Sequence, residues 1–264
     1  MIRNIVLAFT VLIAFSCKGQ DKEVVEKIKV SSEEVGAMVS FLASDDIKGR
    51  DTGSEGIAEA ATYIEKHLES FGVKPYYDTY RDNFKVKELD AYNVVGYLEG
   101  TDPKLKNEVV VIGAHYDHIG ISNGKVNNGA DDNASGTTVV LELARNQVKD
   151  LNNKRSIIYC LWSAEELGLL GSKYFVNNFN YIGQIKTYIN LDMIGRGSVD
   201  SIYCGYKVDN QHITLLEEYN ELNNLHIKYL ENYYTGTSDG SYFKENNIAT
   251  LSFHDEDLED YHLP

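Results

Sequence analysis

The chain has 264 residues, 43% of them hydrophobic and 25% charged, with a formal net charge of −15. That size and balance suit one globular domain with a sizeable core. The acidity and the lack of any basic run exclude a surface that neutralises phosphate backbones, so no nucleic-acid partner is expected.

The N-terminus reads "MIRNIVLAFTVLIAFSCKGQDKE". Arg3 supplies a positive start, and the apolar run Ile5–Phe15 is too short to span a bilayer but suits a signal peptide. It ends in Ser16 and Cys17, as in bacterial lipoprotein signals where the cysteine becomes the lipidated first residue. The expected organisation is a signal peptide over 1–17, a polar tether over 18–30 and one domain over 31–264. The protein is therefore expected outside the cytoplasm, lipid-anchored to the cell envelope and facing the periplasm or the surface. An ordinary secreted protein is the alternative. Contact with membrane is expected only through that anchor.

Ser31 and Glu34 make a capping-box pattern before an apolar helix ending near Ala43. After the loop "SDDIKGRDTGS", residues Glu55–Phe71 have apolar positions at helical spacing and stop at Gly72. "AYNVVGYLEG" and "NEVVVIGAHYD" read as strands. The loop "GISNGKVNNGADDN" leads into the helix "ASGTTVVLELARNQV". Next come the strand "SIIYCLW", a helix after Glu165, the strands "KTYINLDMIG" and "DSIYCGY", and a helix from about His212 to Leu222. A Tyr-rich stretch, the short helix "SYFKENN", the strand "ATLSF" and an acidic tail close the chain. Cys160 and Cys204 lie in strand-like runs and read as buried thiols, although an exported protein could also pair them.

Strands alternate with helices, and several strands are apolar throughout. This predicts an α/β fold of three layers, α/β/α, with a mixed, mostly parallel central sheet. Sites in such folds lie beyond the carboxyl ends of the strands. Five units carry chemistry there: His115 and Asp117 in "VVVIGAHYDH", Asp131 and Asp132 before a helix, Glu165 and Glu166 after "CLWSA", Asp192 in "YINLDMIG", and His262 in "DYHLP". Singly, each has an ordinary explanation, such as an N-cap for Asp131 or helix-dipole complementation for the paired glutamates. A carboxylate in an apolar strand such as Asp192 is harder to place without a partner. Two imidazoles and three carboxylates suit divalent zinc and are enough for two ions sharing one carboxylate. Paired ions polarise a carbonyl and make hydroxide from water. Of two adjacent glutamates, one can then be a ligand while the other carries a proton. Asp117 is placed to accept from the second ring nitrogen of His115.

Taken in order, "GAHYDH", "GADDNASG", "SAEELGLLGS", "NLDMIG" and "DYHLP" resemble the motif set of the co-catalytic di-zinc aminopeptidases. That family also includes glutamate carboxypeptidases, glutaminyl cyclases and transferrin-receptor-like proteins. The resemblance runs from about "FLASDDIKGRDTGSEG" to the last residue and implies a zinc-exopeptidase, phosphorylase/hydrolase-like fold. By position it makes Asp132 the bridge between two zinc ions, or other divalent metals, with His115 and Asp192 on one and Glu166 and His262 on the other. Glu165 would be the general base and Asp117 the partner of His115. The family's usual final helix would follow Pro264, so the catalytic domain is expected to lack it.

The activity implied is removal of N-terminal residues from peptides with a free N-terminus. Tyr233, Tyr234 and Ser238 are candidates to stabilise the oxyanion. The alternatives are glutaminyl cyclisation and a lipid-anchored, non-catalytic binding protein of the same fold. The uninterrupted "EELGLLGS" favours the peptidase, and the complete set of metal-binding residues disfavours the binding protein. A carboxypeptidase would need a cation for the terminal carboxylate, for which Arg50 and Arg196 are the candidates.

Overall fold

The residues that alternate along the central strands are apolar on both faces, and the chain covers both. A computed structural model describes residues 30–196, 202–207, 213–214, 216–218, 221, 227–231, 238–255 and 262. The expected signal peptide and Cys17 lie outside these residues, as do Tyr233, Tyr234 and most of the acidic tail.

Helix α1 (Ser32–Leu42) starts where Ser31 accepts the Glu34 amide at 3.3 Å, as the capping pattern predicts. Helix α2 (Glu55–Phe71) is capped by Ser54 and closed by Gly72 at φ 90°. Strands β1 (Lys74–Pro75), β2 (Arg81–Val86), β3 (Leu89–Leu98) and β4 (Val109–His115) follow. A two-strand ribbon, β5 (Ile121–Ser122) with β6 (Lys125–Val126), sits inside the predicted glycine-rich loop. Then come α3 (Gly136–Asp150), β7 (Ser156–Trp162), α4 (Leu170–Asn178), β8 (Ile185–Leu191), β9 (Ile202–Lys207), β10 (Ile227–Glu231), α5 (Gly240–Glu245) and β11 (Ala249–His254).

The sheet order is β1–β3–β7–β4–β8–β11–β9–β10, with β2 also paired to β3. The four central strands β7, β4, β8 and β11 are mutually parallel. Strand β3 joins β7 antiparallel, and β9 joins β11 antiparallel. The chain leaves β4 for β7 on one side and returns to β8 on the other, which makes the end of β4 a topological switch point.

Side-chain alternation sorts the core into two layers. Val94, Ile157, Tyr159 and Leu161 point to the face covered by α1, α2 and α3, packing with Leu42, Ile64, Leu68 and Leu141. Val95, Ile158, Cys160 and Trp162 point to the other face, against Phe175 of α4, Phe179 just after it and Phe243 of α5. Burial on both faces is why these strands lack a polar period. Cys160 and Cys204 are buried free thiols. No helix among the described residues is long and apolar enough to cross a membrane.

Two departures from the predicted elements have simple causes. Strands β2 and β10 come from polar runs, "RDNFKV" and "IKYLE", at or near the sheet's margins, where one face meets solvent and apolar patterning is weak. The helix after the glutamates starts at Leu170, because a tight turn intervenes in which Gly168 and Leu169 donate to the Glu165 carbonyl, both at 2.8 Å. Glu165 and Glu166 are therefore not in a helical first turn, and dipole complementation does not explain them.

Gly56 tests how α2 meets the turn Asp45–Arg50, because a Cβ there would overlap the Ile47 carbonyl. Gly56→Ala is expected to destabilise by more than about 2 kcal/mol. Gly36→Ala, in α1 with open space around it, should instead stabilise by up to about 1 kcal/mol. Urea unfolding of the two variants measures both, and equal effects would show that this contact does not matter.

Candidate metal centre

Parallel strands deliver the site. His115 is the last residue of β4, in register with Trp162 at the end of β7, and Glu165 and Glu166 come after Trp162, Ser163 and Ala164. Asp192 follows the end of β8. Asp132 is buried in the turn 130–135 that leads into α3. His262 approaches from the C-terminal segment. The five strand-end units are thus brought to one place.

Asp132 stands in the middle and uses its two oxygens separately. Its Oδ1 lies 3.2 Å from His115 Nε2, which is also 3.2 Å from Asp192 Oδ1. Its Oδ2 lies 3.0 Å from His262 Nε2 and 3.7 Å from His118 Nδ1. Glu166 completes this second group, with Oε1 2.9 Å from His118 Nδ1 and Oε2 3.3 Å from His262 Nε2. Two donor groups result: His115, Asp132 and Asp192, and His118, Asp132, Glu166 and His262. Ligands on zinc at about 2.0–2.2 Å in a tetrahedron stand about 3.3–3.6 Å apart. The donor separations scatter around that value, and the mixture of imidazole and carboxylate is zinc's, so the residues fit the metal.

Electrostatics supports the same reading. Burial pushes the Asp132 carboxyl up, but hydrogen bonds from His115 and His262 more than offset it, holding it well below the ordinary range. Burial would lower the His115 imidazole, yet Glu165, Asp192 and Asp132 together raise it well above its usual value. Glu165 goes the other way. Burial, reinforced by Asp239, Asp192 and Asp117 and opposed by His115, pushes its carboxyl up to about 10. Adjacent carboxylates are thus in different situations: Glu166 is paired with two imidazoles, and Glu165 is not in either donor group.

Asp117 has different partners from those expected. His115 Nδ1 donates to the Asp117 main-chain carbonyl at 3.2 Å, and the Asp117 carboxylate is 3.8 Å away. That carboxylate is fully buried and instead accepts the amides of Glu165 and Glu166 at 3.2 and 3.3 Å and the Thr52 hydroxyl at 3.3 Å. It fixes the glutamate turn as well as sitting behind His115. Burial pushes its carboxyl up to about 6, against the pull of His115 and the two amides.

The turn carrying Asp132 is laced to the segment carrying Asp192. Asn133 donates to the Leu191 carbonyl at 3.0 Å and accepts the Met193 amide at 3.3 Å. Ser135 accepts the Ile194 amide at 3.1 Å, and Asp131 accepts that of Gly195 at 2.8 Å. Asp131 is thereby a turn-fixing residue, and the neighbouring Asp132 is left to face both donor groups.

Arg50 is fully buried and binds no substrate carboxylate, since its guanidinium is consumed by main-chain carbonyls. It donates to Leu42, to Tyr116 at 2.9 Å, to Asn128 at 2.8 Å and to Gly129 at 2.9 Å. One cation therefore clamps the end of α1, the His115–His118 segment and the loop entering the Asp132 turn. Gly129, at φ 58°, is required there, because a Cβ would overlap the Asp132 carbonyl and come within 2.7 Å of Arg50 Nη2. Arg196 lies on the loop after β8, where its amide donates to Asp255 at 2.7 Å. Ser238 is buried and accepts from Asn190 and Gly240 at 3.2 and 3.4 Å, so its hydroxyl is engaged in holding its own turn.

Three participants escaped the sequence reading. His118 was in plain view in "HYDH", but a second histidine three residues on does not show which way its ring points. Arg50 was read as a candidate for a substrate carboxylate, not as a clamp on main-chain carbonyls. Asp239 is buried behind the site, and burial pushes its carboxyl up to about 7, opposed by His115 and Ser172.

Against known proteins, the profile described as peptidase family M28 matches residues 93–264. The chain belongs to peptidase family M28. The M28 chain is 32% identical over 162 residues to leupeptin-inactivating enzyme 1 of Streptomyces exfoliatus, covering 60% of this chain and 34% of that protein. It is 36% identical over 107 residues to aminopeptidase YwaD of Bacillus subtilis, covering 40% and 22%. The matched stretches thus span about a third or less of these curated relatives. In fold, the M28 chain superposes on BSAP, a zinc aminopeptidase from Bacillus subtilis, with a TM-score of 0.74 at 16% identity over 90% of each chain. It also superposes on Porphyromonas gingivalis glutaminyl cyclase, with a TM-score of 0.70 at 17% identity over 89% of this chain and 87% of that one.

The clamp makes a direct test. Arg50→Met leaves four main-chain carbonyls without their donor and is expected to cost roughly 3–5 kcal/mol. Arg50→Lys should recover part of that loss. A metal-free urea titration in which Arg50→Met unfolds within 1 kcal/mol or so of the wild type would remove the clamp from this account.

Proposed function

We propose that the chain is a zinc aminopeptidase with two metal ions, hydrolysing N-terminal residues from peptides with a free N-terminus. The observation that carries this is Asp132, whose two oxygens face two separate imidazole-bearing donor groups while Glu165 stands beside them unengaged. His115, Asp132 and Asp192 would hold one ion, and Asp132, Glu166 and His262 the other. Bound there, the ions would supply carbonyl polarisation and a water of lowered pKa, and their charge would favour the ionised Glu165 carboxylate.

The chain's own residues do the rest. Glu165 takes the proton of the attacking water and delivers it to the departing amine. Its main chain is held by Asp117 and by the turn through Gly168 and Leu169, so the carboxyl stays at one place through both transfers. Asp117 orients His115 from behind through its carbonyl, fixing the Nδ1–H tautomer and turning Nε2 toward Asp132 and Asp192. Family membership and the aminopeptidase relatives support peptide substrates, and the uninterrupted turn after Glu166 supports hydrolysis over cyclisation. The signal-like residues 1–17 support export with a lipid anchor at Cys17.

The test is a zinc-loaded preparation given peptides with free and acetylated N-termini, with products read by mass. Loss of single residues from free peptides only, abolished by a chelator, is the expected result. Glu165→Gln should lower kcat about 10²–10⁴-fold with zinc content unchanged. Ammonia released from N-terminal glutamine would move the assignment to cyclase, and a fully active Glu165→Gln would remove Glu165 as the base.

A further inference from the structure

We propose that His118 is itself a metal ligand, so that the second donor group closes around its ion with four protein donors while the first, with three, stays open. This rests on the two-metal reading above and goes beyond the ligand set read from the sequence.

Geometry is the first support. Around the second group, the His118 Nδ1 separations of 2.9 Å from Glu166 and 3.7 Å from Asp132 bracket the edge of a zinc tetrahedron. The His262 Nε2 separations of 3.0 and 3.3 Å, from Asp132 and Glu166, are of the same kind. His118 therefore relates to both carboxylates as His262 does. The ring is also held in place. It is 3% exposed, its amide donates to the Arg50 carbonyl at 3.3 Å, and it makes an edge-type contact with the His262 ring, with centroids 5.6 Å apart and planes at 70°. Gly129 makes room for it, since a Cβ there would come 2.7 Å from His118 Cδ2.

Charge is the second support. Asp117, Asp132 and Glu166 feel the buried Arg50 cation; Glu166 belongs to the second group alone, Asp132 to both, and none to the first alone. A fixed positive charge there weakens the hold on a divalent ion. An additional neutral imidazole offsets that loss with a donor and adds no charge.

The consequence is a division of labour. A tetrahedral zinc with four protein ligands is closed, whereas one with three keeps a position for water or substrate. The open position then falls at His115, Asp132 and Asp192. Glu165 stands near that side, with His115 and Asp192 among its charged neighbours. The base and the open position coincide.

The test measures zinc affinity by chelator competition, and cobalt absorption on titration, for the full chain, His118→Ala and His118→Gln. The wild type is expected to bind two zinc ions unequally, the first cobalt equivalent giving the intense bands of a four-coordinate ion. Both variants should lose the tighter site by more than about 100-fold, beyond the 10–100-fold that losing an outer hydrogen bond costs. Glutamine keeps an N–H for Glu166 but supplies no ligand nitrogen, so His118→Gln binding within about 10-fold of wild type would overturn ligation in favour of orientation. Should His118→Ala not fold, a first cobalt equivalent of five- or six-coordinate type in the wild type overturns the proposal without any variant. A wild type that takes two ions with both variants unchanged sinks this inference alone. A wild type that takes none sinks the two-metal reading with it.

Discussion

Like charges gathered in a buried place repel, and the site is built around containing that repulsion. Asp117, Asp132, Glu165, Glu166, Asp192 and Asp239 converge at one end of the sheet, and Asp117, Asp132 and Asp239 are nearly out of solvent's reach. Several devices accommodate them. Asp132 and Glu166 meet imidazoles, Asp117 meets two amides and a hydroxyl, and Glu165 and Asp239 are pushed toward keeping their protons. Arg50 supplies the fixed cation nearby, yet binds none of them directly, because its donors go to carbonyls. A buried charge left unpaired is among the costliest features a fold can carry. An arrangement of acids and imidazoles this dense is therefore explained by cations that the site is meant to receive.

The fold makes such convergence inexpensive. Parallel strands end on the same edge, so β4, β7 and β8 each release a residue there without any long loop to position it. The switch point at β4 opens a crevice between strands whose connections diverge. Precision then comes from local lacing. Asn133, Ser135 and Asp131 take hydrogen bonds from Leu191–Gly195 or give them, so Asp132 and Asp192 are held together. Arg50 does the same for the His115–His118 segment and the loop at Gly129.

What the sequence disclosed was whatever has a period or a fixed address. Strands buried on both faces announce themselves as apolar runs, and residues that follow them fall at the sheet's edge by topology alone. Asp132, Glu166 and Asp192 were legible for that reason. His118 was not, because its role depends on a ring direction set by Gly129 and Arg50 rather than by its own neighbours in sequence. Arg50 was misread for a related reason: a cation is normally assumed to be solvated or paired with an acid, and saturating it with carbonyls from three segments requires the tertiary fold. The polar strands β2 and β10 were missed because, at the margins of the sheet, the pattern that signals burial is weak.

Beneath the centre runs a line of polar groups through an otherwise apolar layer. Trp162 donates to the Tyr188 hydroxyl at 2.8 Å, Tyr188 donates to Asn190 at 2.6 Å, and Asn190 donates to Ser238 at 3.2 Å. An apolar floor would pack at least as well and would carry no risk of unmet hydrogen bonds. The polar line does what apolar packing cannot, which is to fix direction. Trp162 ends the strand that leads to Glu165, Asn190 lies two residues before Asp192, and Ser238 precedes Asp239. Three segments that contribute acids are therefore tied below the sheet's edge by bonds that tolerate little rotation. Repulsion above them would otherwise spread the segments apart, since packing of aliphatic groups resists sliding far less than it resists separation. The network beneath and the ions expected above thus act on the same carboxylates from opposite sides, and the geometry of the centre is the balance between them.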